Sequence, residues 1–151
     1  IINKKYTGVK TLRDATIEMV EECLKNESSD VYDRCKYVVE ENNRLIEACK
    51  DLNNGNIEAF GQKMYETHSG LSELYEVSCP ELDFIVKCTK EEQGILGARM
   101  MGGGFGGCSL NLVEKGTEEA LITKISEAYL KEFGLTLSAY KVKISKGTTN
   151  V

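Results

Sequence analysis

The chain has 151 residues, 41% hydrophobic and 28% charged, and its 24 acidic against 19 basic side chains leave a formal net charge of −5. That is the size of one ordinary core, and the acidic balance lacks the clustered positive field by which nucleic acids and anionic membranes are bound. No apolar run approaches the roughly 18–20 residues of a membrane span and residues 1–5 carry no apolar signal region, so no nucleic acid and no membrane are expected as partners, and a cytoplasmic location is.

In chain order, Thr11 with Asp14 three residues on predicts a helix start, and Leu12, Ala15, Thr16, Met19, Val20 and Cys23 recur at helical spacing. A second helix carries the stripe Val31, Cys35, Val38, Asn42, Leu45, Cys49 and Leu52, with Gly55 as its stop; the Asn42 amide can fix its register or bond a neighbouring backbone. Asn56 caps a third helix with Ile57, Phe60, Met64, Thr67, Leu71 and Leu74 on one side. Gly61 and Gly70 weaken that helix by roughly 1 kcal/mol each relative to Ala, which suggests that they permit close packing. Ser78-Cys79-Pro80-Glu81 reads as a capping box with Pro80 in the first turn. The fourth helix runs through Leu82, Ile85, Val86 and Thr89 towards Gly94.

The period then changes. Residues 98–101 read as a short strand, and Cys108, Leu110 and Leu112 alternate with Ser109, Asn111 and Val113 as a half-buried strand would. Thr117 caps a fifth helix that ends at Gly134, and Tyr140, Val142 and Ile144 alternating with Lys141, Lys143 and Ser145 predict a last strand with one basic face. The pattern is α+β, helices packed on a small, mostly antiparallel sheet. Three short strands make a thin sheet, for which a further partner strand upstream of residue 1 is expected. Residues 1–151 are expected to form a single domain. Because the first residue is Ile, the chain is read as a fragment of something longer.

The six cysteines, Cys23, Cys35, Cys49, Cys79, Cys88 and Cys108, show no metal-clamp spacing, so buried, reduced thiols and no metal site are expected. His68 is the only histidine; a packed or helix-surface role is expected for it, and no orienting partner is evident around it.

Six of the 14 glycines fall between positions 97 and 107. Glycine admits positive φ and has no Cβ, so such a run can turn backbone N–H groups inward as an anion nest, or let another backbone approach closely with no ligand at all. Gly102-x-Gly104-x-x-Gly107 matches the dinucleotide fingerprint formally, but it precedes a strand-like segment where that motif opens a helix. The Walker pattern fails too, because Cys108 and Ser109 stand where Lys and Ser/Thr are required. Composition leaves ligand contact and a purely structural role both open.

The segment Gly97-Ala98-Arg99-Met100-Met101-Gly102-Gly103-Gly104-Phe105-Gly106-Gly107-Cys108 resembles the third signature motif of galactokinases, members of the GHMP small-molecule kinase superfamily. Tyr75-Glu76-Val77-Ser78-Cys79-Pro80-Glu81-Leu82-Asp83 resembles their helix-entry segment, and Glu41-Asn42-Asn43-Arg44 and Met64-Tyr65-Glu66-Thr67-His68 the helices before it. The resemblance implies a GHMP kinase C-terminal domain of ferredoxin-like type that closes on an N-terminal GHMP kinase domain of the same protein. It implies ATP-dependent phosphorylation, with Mg²⁺, of the C1 hydroxyl of galactose. By the same resemblance Gly102, Gly103, Gly104, Phe105, Gly106 and Gly107 form the loop at the nucleotide phosphates or the transferred group. The general base and most sugar contacts fall in the N-terminal half, so no catalytic residue is expected in this fragment, which alone should be inactive. Met101 stands where the family usually carries Thr. Arg99, the nearest cation, is expected in a structural salt bridge, and Ser78, Pro80, Glu81 and Asp83 in a helix start. Alternatives are a kinase for another sugar, N-acetylgalactosamine or arabinose, a non-catalytic sugar-kinase-like regulator, and a helical interaction module.

Overall fold

A computed structural model describes residues 1–145. Six helices, α1 (Ile2–Lys5), α2 (Ile17–Leu24), α3 (Ser29–Asn53), α4 (Ile57–Glu73), α5 (Pro80–Lys90) and α6 (Glu118–Phe133), accompany an antiparallel pair, β1 (Ile95–Met101) and β2 (Cys108–Val113). The α+β arrangement of helices on a small antiparallel sheet is therefore present, with two strands instead of three among the described residues.

Residues 140–145, expected as the last strand, form none. Tyr140, Val142 and Ile144 are 81%, 75% and 101% exposed. An alternating pattern becomes a strand only where a neighbour supplies the ladder, and here β1 pairs with β2 alone.

The first predicted helix starts late. The Asp14 carboxylate accepts the N–H groups of Lys10 (3.0 Å) and Thr11 (2.9 Å), closing a local turn in competition with helix. Thr16 then caps α2, accepting from Met19 N–H at 3.4 Å. Of the expected stripe Ala15 and Val20 are buried in a cluster with Ile2, Val9, Leu24 and Val39 of α3, and Leu12, Met19 and Cys23 pack against it half-buried, while Thr16 is exposed.

In α3 the expected stripe is half-buried only at Cys35, Val38 and Asn42: Val31 is exposed, Leu45 is 63% exposed, Cys49 and Leu52 are exposed, and Tyr37, Val39 and Ala48 are buried. The cause is α4, which meets α3 through polar side chains. Thr67 Oγ1 donates to Glu41 (2.8 Å), Arg44 pairs with Glu41 and Glu66, and Lys63 with Asp51 (2.7 Å). Positions 37, 41, 44, 48 and 51 make this face, and a hydrophobicity pattern does not register it. Asn42 Nδ2 is buried without a partner among the described residues, so of the two roles open to the amide this nitrogen does not fill the bond to a neighbouring backbone.

Asn56 caps α4 as expected, accepting from Ala59 N–H at 3.4 Å. Gly61 meets β1 backbone to backbone: a Cβ there would stand 2.0 Å from the Leu96 carbonyl oxygen, and one on Gly97 2.4 Å from the Gly61 carbonyl oxygen. This approach seats α4 on the strand that leads into the glycine loop. Tyr65, Val86 and Ala98 close the junction of α4, α5 and β1, and Ile85, Ile125 and Tyr129 that of α5 and α6. Leu82, Ile85, Val86 and Thr89 are buried on α5 as their spacing predicts.

All six cysteines are free, which meets the expectation of reduced thiols, but none is fully buried: Cys23, Cys35, Cys79 and Cys88 are half-buried and Cys49 and Cys108 exposed, correcting the expectation of buried ones. On β2 the inward phase is opposite to the expected one. Ser109 and Asn111 lie on the side of the buried Met100 and Ala98, while Cys108 and Leu110 stand outward with Met101. No helix among the described residues is long and apolar enough to cross a membrane.

Candidate functional site

Residues 102–107 connect β1 to β2. Gly102, Gly104, Gly106 and Gly107 have φ of +88°, +87°, +127° and +100°, and Phe105 has +60°. Five of six consecutive positions thus occupy the half of conformational space that L side chains avoid, and Phe105 remains there while 77% exposed. No helix follows, because Cys108 opens β2; the loop is neither a dinucleotide turn nor a Walker loop.

The glycines do different jobs. A Cβ at Gly104 would meet the Val77 carbonyl oxygen at 2.0 Å, and that same oxygen accepts the Phe105 N–H at 2.7 Å. The loop is thereby seated on the segment that enters α5. A Cβ at Gly102, Gly103 or Gly106 would meet nothing within 4 Å. Close packing inside this chain accounts for Gly104 alone; Gly102, Gly106 and Gly107 are accounted for by positive φ, and Gly103 by neither. The loop lies open, as a loop that receives something from outside would. Backbone turned this way can direct successive N–H donors to one side, which is what an anion asks of it. Its side chains supply no acid, base or nucleophile.

Against the strand that leads into the loop lies a cluster that sequence reasoning missed. His68 on α4 is 5% exposed. Its Nδ1 accepts the N–H of Met100 on β1 at 3.2 Å, and its Nε2 stands 3.2 Å from Asp83 Oδ1 on α5. Asp83 also accepts from Ser78 and from Ser72 (3.0 Å). Burial is the main cause that holds the imidazole below its ordinary pKa; Lys90 adds to this, and Asp83 and Glu73 oppose it. The expected packed role of His68 is met, and Asp83 is its orienting partner. The two stand 15 positions apart on different helices, a spacing that no motif announces.

The expected capping box is corrected by the same contacts. Cys79 is the N-cap residue, without a side-chain bond, and Pro80 sits in the first turn, whereas the Ser78 hydroxyl goes to Asp83. Arg99 makes no ion pair among the described residues, contrary to expectation; half-buried, it lies near Tyr37, whose phenol pKa it lowers against the stronger upward push of burial. Met101 is exposed beside the loop and can donate nothing there. Among the described residues no group of three or more His, Cys, Asp or Glu side chains is placed to hold a metal ion.

The sequence model described as "GHMP kinases C terminal" matches residues 45–131, more than half of the chain and including α4, α5, both strands and the loop. The chain belongs to this family. Among relatives of the GHMP kinase domain, a galactokinase of Thermotoga petrophila is 37% identical over 147 residues, covering 97% of this chain and 41% of that protein. A galactokinase of Thermosipho africanus is 41% identical over 118 residues (78% and 34%), and one of Clostridium perfringens 36% over 149 (98% and 38%). The solved structure of Lactococcus lactis galactokinase complexed with galactose superposes with a TM-score of 0.82 at 29% identity, over 89% of this chain and 36% of that one. The chain thus spans about two fifths of the length of the curated relatives it matches.

Proposed function

We propose that the chain is the C-terminal GHMP kinase domain of a galactokinase, in which the 102–107 loop serves the phosphates of ATP during transfer of a phosphoryl group to the C1 hydroxyl of galactose. The observation that carries this reading is the open, positive-φ loop, in which a Cβ at Gly102, Gly103 or Gly106 would meet no atom of the chain within 4 Å and Gly103 lacks even the positive φ that would call for glycine. Phosphoryl transfer asks mainly for positioning and for donors pre-aimed at charge that develops on the phosphoryl oxygens. Main-chain N–H groups of a loop in which Phe105 alone carries a side chain meet that demand and leave room for a bulky anion.

Within this reading the chain's own contribution is a fixed cradle. The Val77 carbonyl holds the loop's centre through Phe105 N–H, and β1 and β2 hold its ends. When bound, ATP supplies the phosphoryl group and the leaving nucleoside diphosphate. The acid–base work and the sugar contacts belong to the N-terminal GHMP kinase domain, the partner of this one. Mg²⁺ in such a reaction is held by one or two carboxylates together with the nucleotide phosphates, and its protein ligands are not assigned to this chain.

Gly103 makes the test clean. It has no positive φ and open space at its Cβ position, so Gly103→Val should leave the fold intact and obstruct only an incoming ligand. In the full-length protein, galactose phosphorylation should fall at least a hundredfold in G103V with the melting temperature unchanged. The isolated 151-residue chain should show no turnover. A G103V protein of normal activity, or turnover by the isolated chain matching the full-length protein, contradicts the reading.

A further inference from the structure

The strand that delivers the loop and the segment that receives it are tied to one buried pair. In an antiparallel ladder alternate residues turn their N–H away from the partner strand, and Met100, next but one before Gly102, gives that donor to His68 Nδ1. Since Nδ1 accepts, the neutral ring carries its proton on Nε2, facing Asp83 Oδ1. Asp83 in turn holds the Ser78 hydroxyl, and Ser78 follows Val77, whose carbonyl receives Phe105 N–H. The approach and the centre of the loop therefore both lead back to His68 and Asp83.

We propose that His68 is a positioning residue for the 102–107 loop, fixing through Met100 and Asp83 how far the loop's amides reach, and that protonation of its ring releases Met100. A proton on Nδ1 would set two donors face to face, so the neutral ring alone sustains the link. The groups facing the ring are Glu73 from its own helix and Asp83, Lys87 and Lys90 from α5; β1 presents a main-chain amide. A cleft of about 270 Å³ bordered by Asp83, Lys87 and Lys90 opens the cluster to solvent protons. Burial and Lys90 favour the neutral ring at neutral pH, which keeps the anchor closed there and opens it in acid. The inference rests on the galactokinase reading for its consequence in catalysis; the anchor itself does not.

The test compares two variants in the full-length protein. His68→Asn keeps an acceptor at the position of Nδ1 and does not titrate, whereas His68→Gln keeps a donor at the position of Nε2 and lacks the acceptor for Met100. Expected is a kcat within about threefold of wild type for H68N and at least tenfold lower for H68Q, with KM for galactose within twofold in both. Protonation of the ring should lower kcat of the wild type on the acid side, below the ordinary imidazole range because burial depresses the ring's pKa, and this fall should be absent in H68N. Hydrogen exchange at residues 100–107 should accelerate at least tenfold in H68Q and not in H68N. Equal kcat and equal exchange in the two variants would overturn the proposal, as would an unchanged acid-side fall in H68N. If H68Q does not fold, the pH profile and exchange of H68N decide alone. If the wild-type protein phosphorylates no galactose, the galactokinase reading fails, and exchange in the two variants still decides the anchor.

Discussion

Gly104 and Gly103 are neighbours of identical composition with opposite tolerances. At Gly104 a side chain meets a backbone oxygen at 2.0 Å and a φ of +87°. The left-handed conformation alone costs an L-residue about 1–2 kcal/mol, and the carbonyl has no flexible end that could give way. Gly104→Ala should therefore lower unfolding free energy by about 2 kcal/mol or more, and Gly103→Ala by less than about 0.5 kcal/mol; denaturant titration of the two separates these outcomes. The glycine run is visible in the sequence at once, but which glycine is steric and which is open depends on Val77, brought up from 27 positions away. His68 belongs to the same scale. Its pKa is lowered on folding, so the unfolded chain takes up a proton first as pH falls. The stability that the neutral ring contributes is complete above about pH 6.5 and is lost as pH falls through the lower folded value. Unfolding free energy should decline over that interval in the wild type and decline less in H68N; parallel curves would show that the ring does not titrate with folding.

For the helices, propensity and packing make opposite predictions. Replacing Gly61 or Gly70 of α4 by Ala should stabilise by about 1 kcal/mol on helix propensity alone. At Gly61 the added Cβ falls 2.0 Å from the Leu96 carbonyl oxygen, while at Gly70 it meets the buried Tyr37 ring at 2.5 Å, a side chain and not backbone. Gly61→Ala should destabilise by about 1–3 kcal/mol and Gly70→Ala by clearly less, measured by urea unfolding. Equal effects would mean that α4 does not rest on the β1 backbone. The period of each long helix was legible because apolar spacing survives any detail of packing, and for α5 it named the buried residues as well. For α3 it did not. Glu41, Arg44 and Asp51 make the contact with α4, and polar interfaces leave no mark in a hydrophobic pattern. Capping was misread where a side chain found a better partner: Asp14 turned to Lys10 and Thr11, and Ser78 to Asp83.

Across the whole molecule, the apolar core is divided among several small clusters, and apolar side chains at Leu45, Ile46, Leu110 and in residues 140–144 face outward. The sheet consists of the two strands that frame the loop. Tyr140, Val142 and Ile144 contribute no burial here, so Val142→Ser and Ile144→Ser should change the stability of this chain by less than about 0.5 kcal/mol each; a larger loss would reveal a strand contact. The family match over residues 45–131 takes in the segments 75–83 and 97–108, where loop geometry, helix entry and the His68–Asp83 pair meet. What a phosphate would touch is narrower, and one measurement reaches it. A non-hydrolysable ATP analogue titrated into the full-length protein, with amide shifts followed by NMR, should move the resonances of residues 102–107 above those of every other segment of this chain. Large shifts elsewhere in the chain with that loop unmoved would contradict the assignment of its amides to the phosphates.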